Sequence, residues 1–323
     1  MSHLLASNLF SVQGQVIVIT GGGSGKSPAS PPYTHTHHKQ TNPRPGLGRI
    51  MAHTLATNGA SKVFIIGRRL EALQATAAQA PTSGAIIPIT ADISSKESLE
   101  AAYKTISAQT SHVNLLIANS GILGPLARAP PSKPDGSRPS LSEVRDALWS
   151  IPTEDFTKTF DVNVTGSYYT VLAFLPLLEA ANKLRPAPQK NVLSGPTAQV
   201  IITSSIAGFN RRVPFSIAYN TSKAAVNHLV KVLATLLTEY DVRVNGIAPG
   251  LYLSEMSADN FGDDDKGISD GSFGREMIPL TRAGGEEDIG GLVLYMAGAA
   301  GGYLNGNITV TDGGRLSVLP SSY

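Results

Sequence analysis

Seven short runs of apolar, mostly β-branched residues recur along the chain, at 16–20, 62–66, 86–90, 113–118, 199–203, 242–247 and 307–311. Runs of this length and make-up read as strands. Between them the apolar residues fall three and four apart, as on an amphipathic helix: 47–56 is one such stretch, 141–148 another, and 153–182 and 217–240 are the longest. In the last of these the apolar face is Ala225, Val226, Leu229, Val232, Leu233, Leu236 and Leu237. Strand and helix patterns alternate from one end to the other, with no internal repeat. That alternation predicts an α/β fold, a doubly wound parallel sheet, in a single domain spanning 1–323.

The first run ends at Gly21-Gly-Gly-Ser-Gly25, a buried strand feeding a tight glycine turn. Such a turn lets backbone N–H groups approach a pyrophosphate, and a helix N-terminus should follow at once to face the anion. Here the helical pattern starts only at Leu47. Residues 26–46, rich in Ser, Pro, His and Thr and without a hydrophobic period, come between, an unusual length for a strand-to-helix connection. They are expected to form a disordered insertion in the turn. Gly25-Lys26-Ser27 can be encoded around GTAAGT, a common intron start, and excision joins Gly25 to Leu47 in frame. A translated intron is one origin for the segment, and a genuine surface loop the other. Two further connections, 124–140 and 185–196, are Pro-rich or polar additions of the kind loops tolerate.

The segment also carries two decoys. Thr20 to Ser27 nearly spells the phosphate loop Gly-x4-Gly-Lys-Ser of a nucleotide triphosphatase, but Thr20 replaces the first glycine, and Pro28, Pro31 and Pro32 stand where a helix must begin. His35, His37 and His38 have no carboxylate or cysteine nearby and read as unstructured rather than metal-binding.

Tyr219 and Lys223 lie four apart at the head of the 217–240 helix pattern, so one helix face carries a phenol and an ammonium. A unit charge about 5 Å away at an effective dielectric of ~20 is worth ~3 kcal/mol, or ~2 pKa units. The expectation is a phenol acidified to act near neutrality.

Composition narrows the classes. The chain of 323 residues has 26 basic and 24 acidic side chains, a net charge of +2, and can bury one large core. This balance gives no electrostatic case for nucleic acid or a membrane surface. Cysteine is absent, which excludes disulfides, thiolate catalysis and cysteine metal sites, and no metal site is expected. Residues 1–10 lack a basic leader region and 171–178 is far short of the ~20 residues a span needs, so a cytoplasmic location is the default.

With 26–46 set aside, the chain resembles the short-chain dehydrogenase/reductase family over nearly its whole length, with several motifs in the family's order. Thr20, Gly21, Gly25 and Gly48, with Leu47 between the last two, match the cofactor loop Thr-Gly-x3-Gly-x-Gly. Asp92 matches the acid that meets the adenine ring, and Ala118-Asn119-Ser120-Gly121 is close to Asn-Asn-Ala-Gly, with two substitutions. Asn163, Ser205, Tyr219 and Lys223 match the catalytic tetrad; the Ser205 to Tyr219 spacing is one residue long, which keeps Ser204 as a rival. Pro249-Gly250 and Ser254 resemble the segment that closes over the nicotinamide, 251–274 the substrate loop, and Asp312-Gly-Gly314 the terminal strand signature.

The resemblance implies a Rossmann fold and a nicotinamide-dependent oxidoreductase interconverting a ketone and a secondary alcohol, similar to fungal relatives of 3-oxoacyl reductases. In it Ser205 bonds the substrate carbonyl, Tyr219 gives the proton, Lys223 acidifies Tyr219 and reaches the ribose, and Asn163 holds a water that links Lys223 to solvent. The second strand ends in Gly67-Arg68-Arg69, with glycine where an acid would take the ribose 2′-hydroxyl. An arginine there accommodates a 2′-phosphate, so NADP(H) is expected over NAD(H), with Arg68 as the clamp. The family's four-helix contacts imply a homotetramer or dimer through 153–182 and 217–240, and 141–148 is placed as a wall of the substrate cleft. The alternative function is a catalytically impaired family member that serves as a subunit or interaction protein because its glycine loop is interrupted.

Overall fold

The computed structural model describes residues 2–23, 45–127, 130, 132–213, 215–252 and 267–323. Seven parallel strands form one sheet in the order β3-β2-β1-β4-β5-β6-β7. They are β1 (Val16–Thr20), β2 (Lys62–Gly67), β3 (Ile86–Thr90), β4 (Leu115–Ala118), β5 (Gln199–Thr203), β6 (Arg243–Pro249) and β7 (Ile308–Thr311), and a short helix α1 (Ala6–Leu9) precedes β1. Every strand expected from the hydrophobic runs is present. The run 113–118 pairs later than its apolar start, because the Val113 amide turns to the Leu177 carbonyl instead of a neighbouring strand.

Each strand alternates its side chains between two cores, as the period of two requires. In β1, Val16 and Val18 enter one core and Ile17 and Ile19 the other. The first core is covered by α4 (Lys96–Ser107), α7 (Ser167–Lys183) and α8 (Ile217–Leu236), which contribute Ile106, Phe174, Leu178, Val226 and Leu233. The second is covered by α2 (Leu47–Thr57), α3 (Leu70–Ala77) and α9 (Glu286–Ala297), through Met51, Leu55, Leu73, Val293 and Met296. Helices on both faces of a parallel sheet make the fold the doubly wound one. Because the order reverses between β1 and β4, a crevice opens at their carboxyl ends.

The pattern over 153–182 is not one helix. It is α6 (Thr153–Phe160), then a π-helical turn (Asp161–Gly166), then α7. Two hydroxyls take up carbonyls at the change of pitch: Ser167 Oγ donates to Asn163 O at 2.8 Å and Thr170 Oγ1 to Gly166 O at 2.7 Å. Gly166 is required there, since a Cβ would sit 2.8 Å from Ile93 Cδ1.

The helix expected at 141–148 forms as α5 (Leu141–Trp149), closed by a capping box between Ser140 and Glu143. It has no buried residue, so its placement as a cleft wall finds no support in packing. The 185–196 connection carries no helix or strand. Among the described residues no helix is long and apolar enough to cross a membrane, and no group of acids and histidines could hold a metal ion. The nearly complete phosphate loop at Lys26-Ser27, the three histidines and most of 26–46 lie outside the described residues.

Candidate active site

The crevice begins with a clamp between β1 and β4. Thr20 is buried, and its Oγ1 accepts the backbone amides of Asn119 at 3.0 Å and Ser120 at 3.1 Å. Asn119 Nδ2 returns a bond to Thr20 O at 3.1 Å. Gly21 follows with φ +73°, a conformation glycine adopts without strain. Against this turn α2 packs as closely as backbone permits: a Cβ on Gly48 would lie 2.3 Å from Gly21 O and 2.5 Å from Asn119 Nδ2. Leu47 packs on the second core beside it. Gly46, the residue before α2, lies next to Gly23, with its notional Cβ 3.9 Å from Gly23 O. The described residues on either side of 24–44 therefore meet, and the helix N-terminus returns to the glycine turn. Gly25, like Ser254 later in the chain, lies outside the described residues.

At the far side of the crevice Arg68 is exposed just past β2, while Asp92 follows β3. Burial opposes ionisation of Asp92. It is outweighed by hydrogen bonds from the Ser94 amide at 2.9 Å and hydroxyl at 2.6 Å and by the charges of Arg68 and Lys158, which together hold the carboxyl below its ordinary range. Arg68 and Asp92 are thus neighbours across one edge of the sheet. Nothing binds Arg68 itself in an ion pair among the described residues.

The other end of the crevice assembles the expected tetrad. Ser205 leaves β5 and caps a 3-10 turn (Ile206–Gly208), its Oγ accepting the Ala207 amide at 3.1 Å. The same hydroxyl hydrogen-bonds the Tyr219 phenol. Ser204, the rival, is turned inward: its Oγ contacts Asn227 Oδ1 at 2.5 Å and Lys223 O at 3.2 Å. Lys223 Nζ lies 5.7 Å from the centre of the Tyr219 ring, donates to Thr203 O at 2.8 Å, and is 3 % exposed. Asn163 sits in the π-helical turn with both amide hydrogens and its side-chain oxygen engaged. Its Oδ1 accepts from Ile122 N at 2.8 Å, and its Nδ2 donates to Ile122 O and to Ser222 Oγ, each at 3.0 Å. Gly121 admits these groups: a Cβ there would be 3.1 Å from Asn163 Oδ1 and 3.5 Å from Lys223 Nζ.

The net shift of Tyr219 in this pocket runs opposite to the expected acidification. Burial pushes the phenol above its ordinary value, with the Ser205 bond pulling partly back. Burial also pushes Lys223 down to about 8, because a single carbonyl replaces its water. Desolvation is the largest cause for both groups.

Pro249 ends β6, and Gly250 touches the residue after β7: a Cβ on Gly250 would lie 2.6 Å from Asp312 Cβ. Asp312 Oδ1 and Oδ2 accept the amides of Gly314 at 2.8 Å and Leu316 at 2.7 Å. Of the segment 251–274, residues 253–266 lie outside the described residues.

Two residues escaped the sequence reading. Ser222, fully buried, accepts from Asn163 and donates to Tyr219 O at 2.8 Å, so it joins two members of the tetrad. Its place three residues after Tyr219, on the same helix face, was the available signal. Gly208 lets the Ser205 turn lie on α8, since a Cβ would be 2.7 Å from Lys223 O.

The short chain dehydrogenase family model matches residues 41–265, a stretch that begins downstream of the glycine turn. The chain is similar to the short-chain dehydrogenase/reductase PhomF of Diaporthe leptostromiformis, 42% identical over 321 residues, covering 99% of this chain and 97% of that protein. It is also similar to a rhamnolipids biosynthesis 3-oxoacyl-[acyl-carrier-protein] reductase of Pseudomonas aeruginosa, 28% identical over 305 residues, 94% of this chain and 97% of that one. Among solved structures, the Pseudomonas aeruginosa RhlG/NADP active-site complex superposes with a TM-score of 0.72 and 28% identity, covering 95% of this chain and 98% of that chain.

Proposed function

The chain belongs to the short-chain dehydrogenase/reductase family, and from that premise we propose that it is an NADP(H)-dependent oxidoreductase interconverting a ketone and a secondary alcohol. The observation that carries this reading is the closeness of Tyr219 to both Ser205 and Lys223, with Lys223 and Asn163 side by side at Gly121. A 3-oxoacyl thioester or a secondary-metabolite ketone is the proposed carbonyl class, in keeping with the 3-oxoacyl reductase among the relatives.

The residues present fit a dinucleotide. Without side chains at Gly21 and Gly48, the turn after β1, the end of β4 and the start of α2 close on one another, so the α2 N-terminus faces the glycine turn. Thr20, Gly21, Gly25, Leu47 and Gly48 would hold the pyrophosphate side, and Asp92, Asn119 and Gly121 the adenine and ribose side. Pro249, Gly250 and Ser254 would close over the nicotinamide. When bound, the cofactor supplies or accepts the hydride. Ser205 holds the carbonyl oxygen, and Tyr219, its phenol kept protonated by burial, gives its proton to that oxygen as charge develops. Lys223 and Tyr219 also contact the ribose hydroxyls, and Lys223 stabilises the phenolate left behind. Asn163, its side chain locked by Ile122 and Ser222, would hold a water that links Lys223 to solvent.

Arg68 as the 2′-phosphate clamp, helped by Arg69, supports NADP over NAD, as does the solved relative with NADP in its active site. Residues 26–46 are proposed to be an insertion with no part in the chemistry. A dimer or tetramer through α6–α7 and α8 accompanies the reading, supported by apolar exposure at Val232 and Leu236. A cytoplasmic site of action completes it.

The test follows NADPH and NADH absorbance with a panel of ketones and 3-oxoacyl thioesters. Tyr219→Phe removes the proton donor but keeps the ring, so turnover should fall ~10²- to 10⁴-fold while cofactor binding survives. Near-normal turnover in a folded Tyr219→Phe protein eliminates the mechanism.

A further inference from the structure

The loop between β5 and α8 carries Ser205 at its start, and Ser216 at its end accepts the Tyr219 amide on Oγ at 3.2 Å. The geometry of this loop therefore sets the geometry of the reacting pair. Its middle is held from a distant part of the chain. Phe209 O accepts the Ser322 amide at 2.8 Å and the Ser322 hydroxyl at 3.2 Å, and Arg211 N donates to Pro320 O at 2.8 Å. Asn210 and Ser321 form an antiparallel bridge, and the Tyr323 ring stands edge-on to Phe209 with centroids 5.1 Å apart.

Two further links make the contact more than surface trim. On the loop side, Asn220, the neighbour of Tyr219, donates from Nδ2 to Asn210 O at 3.2 Å, while Phe209 packs on the first core. On the other side, Ser321 Oγ bonds Leu316 O at 3.4 Å, and the Leu316 amide is held by Asp312, which abuts Gly250. The segment thus runs from the β6–β7 rim of the crevice to the Ser205–Tyr219 loop.

We propose that residues 320–323 are a positioning strap that fixes the separation of Ser205 and Tyr219, acting through Phe209 and Asn210. This deepens the ketoreductase reading and rests on it for its effect on turnover. The strap touches neither the glycine turn nor Arg68, so its effect falls on the chemical step more than on cofactor affinity. A displacement of the order of 1 Å in a reacting group costs ~10²-fold in rate.

Three variants test it: deletion of 320–323, Tyr323→Ala, and Tyr323→Phe. Amide hydrogen exchange is read at 206–212 and across the sheet, NADPH affinity by titration, and kcat with a ketone the intact chain reduces. In the deletion and in Tyr323→Ala, exchange at 206–212 should rise while the sheet stays protected, and kcat should fall ~10- to 100-fold, with any loss of NADPH affinity smaller than the loss of kcat. Tyr323→Phe keeps the ring edge and should retain both protection and kcat. Unchanged exchange at 206–212 in the deletion variant, or unchanged kcat, overturns the strap. Exchange decides the contact without reference to turnover, so an intact chain that binds NADPH and reduces no ketone overturns the ketoreductase reading alone.

Discussion

Lys223 shows what burial does to a single residue. Its ammonium has one carbonyl partner and is pushed down to about 8 from 10.5. Below the lower value, folded and unfolded chains both carry the proton, and the full cost of burying the charge stands. Between the two values the unfolded chain still holds the proton and the folded chain has shed it, so this group's contribution to stability rises with pH. Lys223→Met should therefore be more stable than the parent below that pH, with the advantage shrinking above it. Urea unfolding on either side of pH 8 checks this, and a gap independent of pH would contradict it. At the opposite end of the crevice Arg68 is exposed beside Asp92. A charge-assisted hydrogen bond to a 2′-phosphate is worth ~1.5 to 3 kcal/mol, so Arg68→Ala should cut the preference for NADPH over NADH by ~10- to 100-fold. Equal loss for both cofactors would show that Arg68 is not the selector.

Among the elements, α2 and α9 place glycines with opposite consequences. Gly48 meets main chain and the Asn119 amide, neither of which can yield, whereas a Cβ on Gly291 in α9 meets nothing within 4 Å. Gly48→Ala should cost ~1 to 3 kcal/mol of stability by overpacking and weaken NADPH as α2 is pushed off the glycine turn. Gly291→Ala should add ~0.5 to 1 kcal/mol, because alanine gives up less freedom in a helix interior. Thermal melts of the two variants should move in opposite directions. The long 153–182 pattern shows why periodicity missed a functional element: a π-helical turn shifts the register by one residue without disturbing which residues are apolar. Only the hydroxyls of Ser167 and Thr170 and the approach of Gly166 to Ile93 betray it.

For the whole molecule the decisive fact is that Gly23 and Gly46 are neighbours. Loop closure costs grow only as ~(3/2)RT ln n, so an interruption whose ends meet burdens folding little. Its effect should fall on the amides beneath the pyrophosphate, which are then continued by Lys26 and prolines instead of Leu47. Removing residues 26–46 should leave the sheet order intact, raise the melting temperature and tighten NADPH. Calorimetric titration of both versions decides between the two origins: tighter binding by the intact chain would establish the segment as a functional loop.

Strand number, the alternation of strand and helix, and the shared helix face of Tyr219 and Lys223 were legible along the chain, because each depends on local period or on residue type at short spacing. Val16 to Thr20 and Tyr219 to Lys223 carry their own geometry. The choice between Ser204 and Ser205, the part played by Ser222 and the reach of residues 320–323 onto Phe209 were decided by the tertiary structure, since each depends on contacts between segments far apart in sequence. The direction of the Tyr219 shift belongs with them. Spacing along a helix shows which charge is near, but burial decides how much that charge is worth, and burial is a property of the assembled fold.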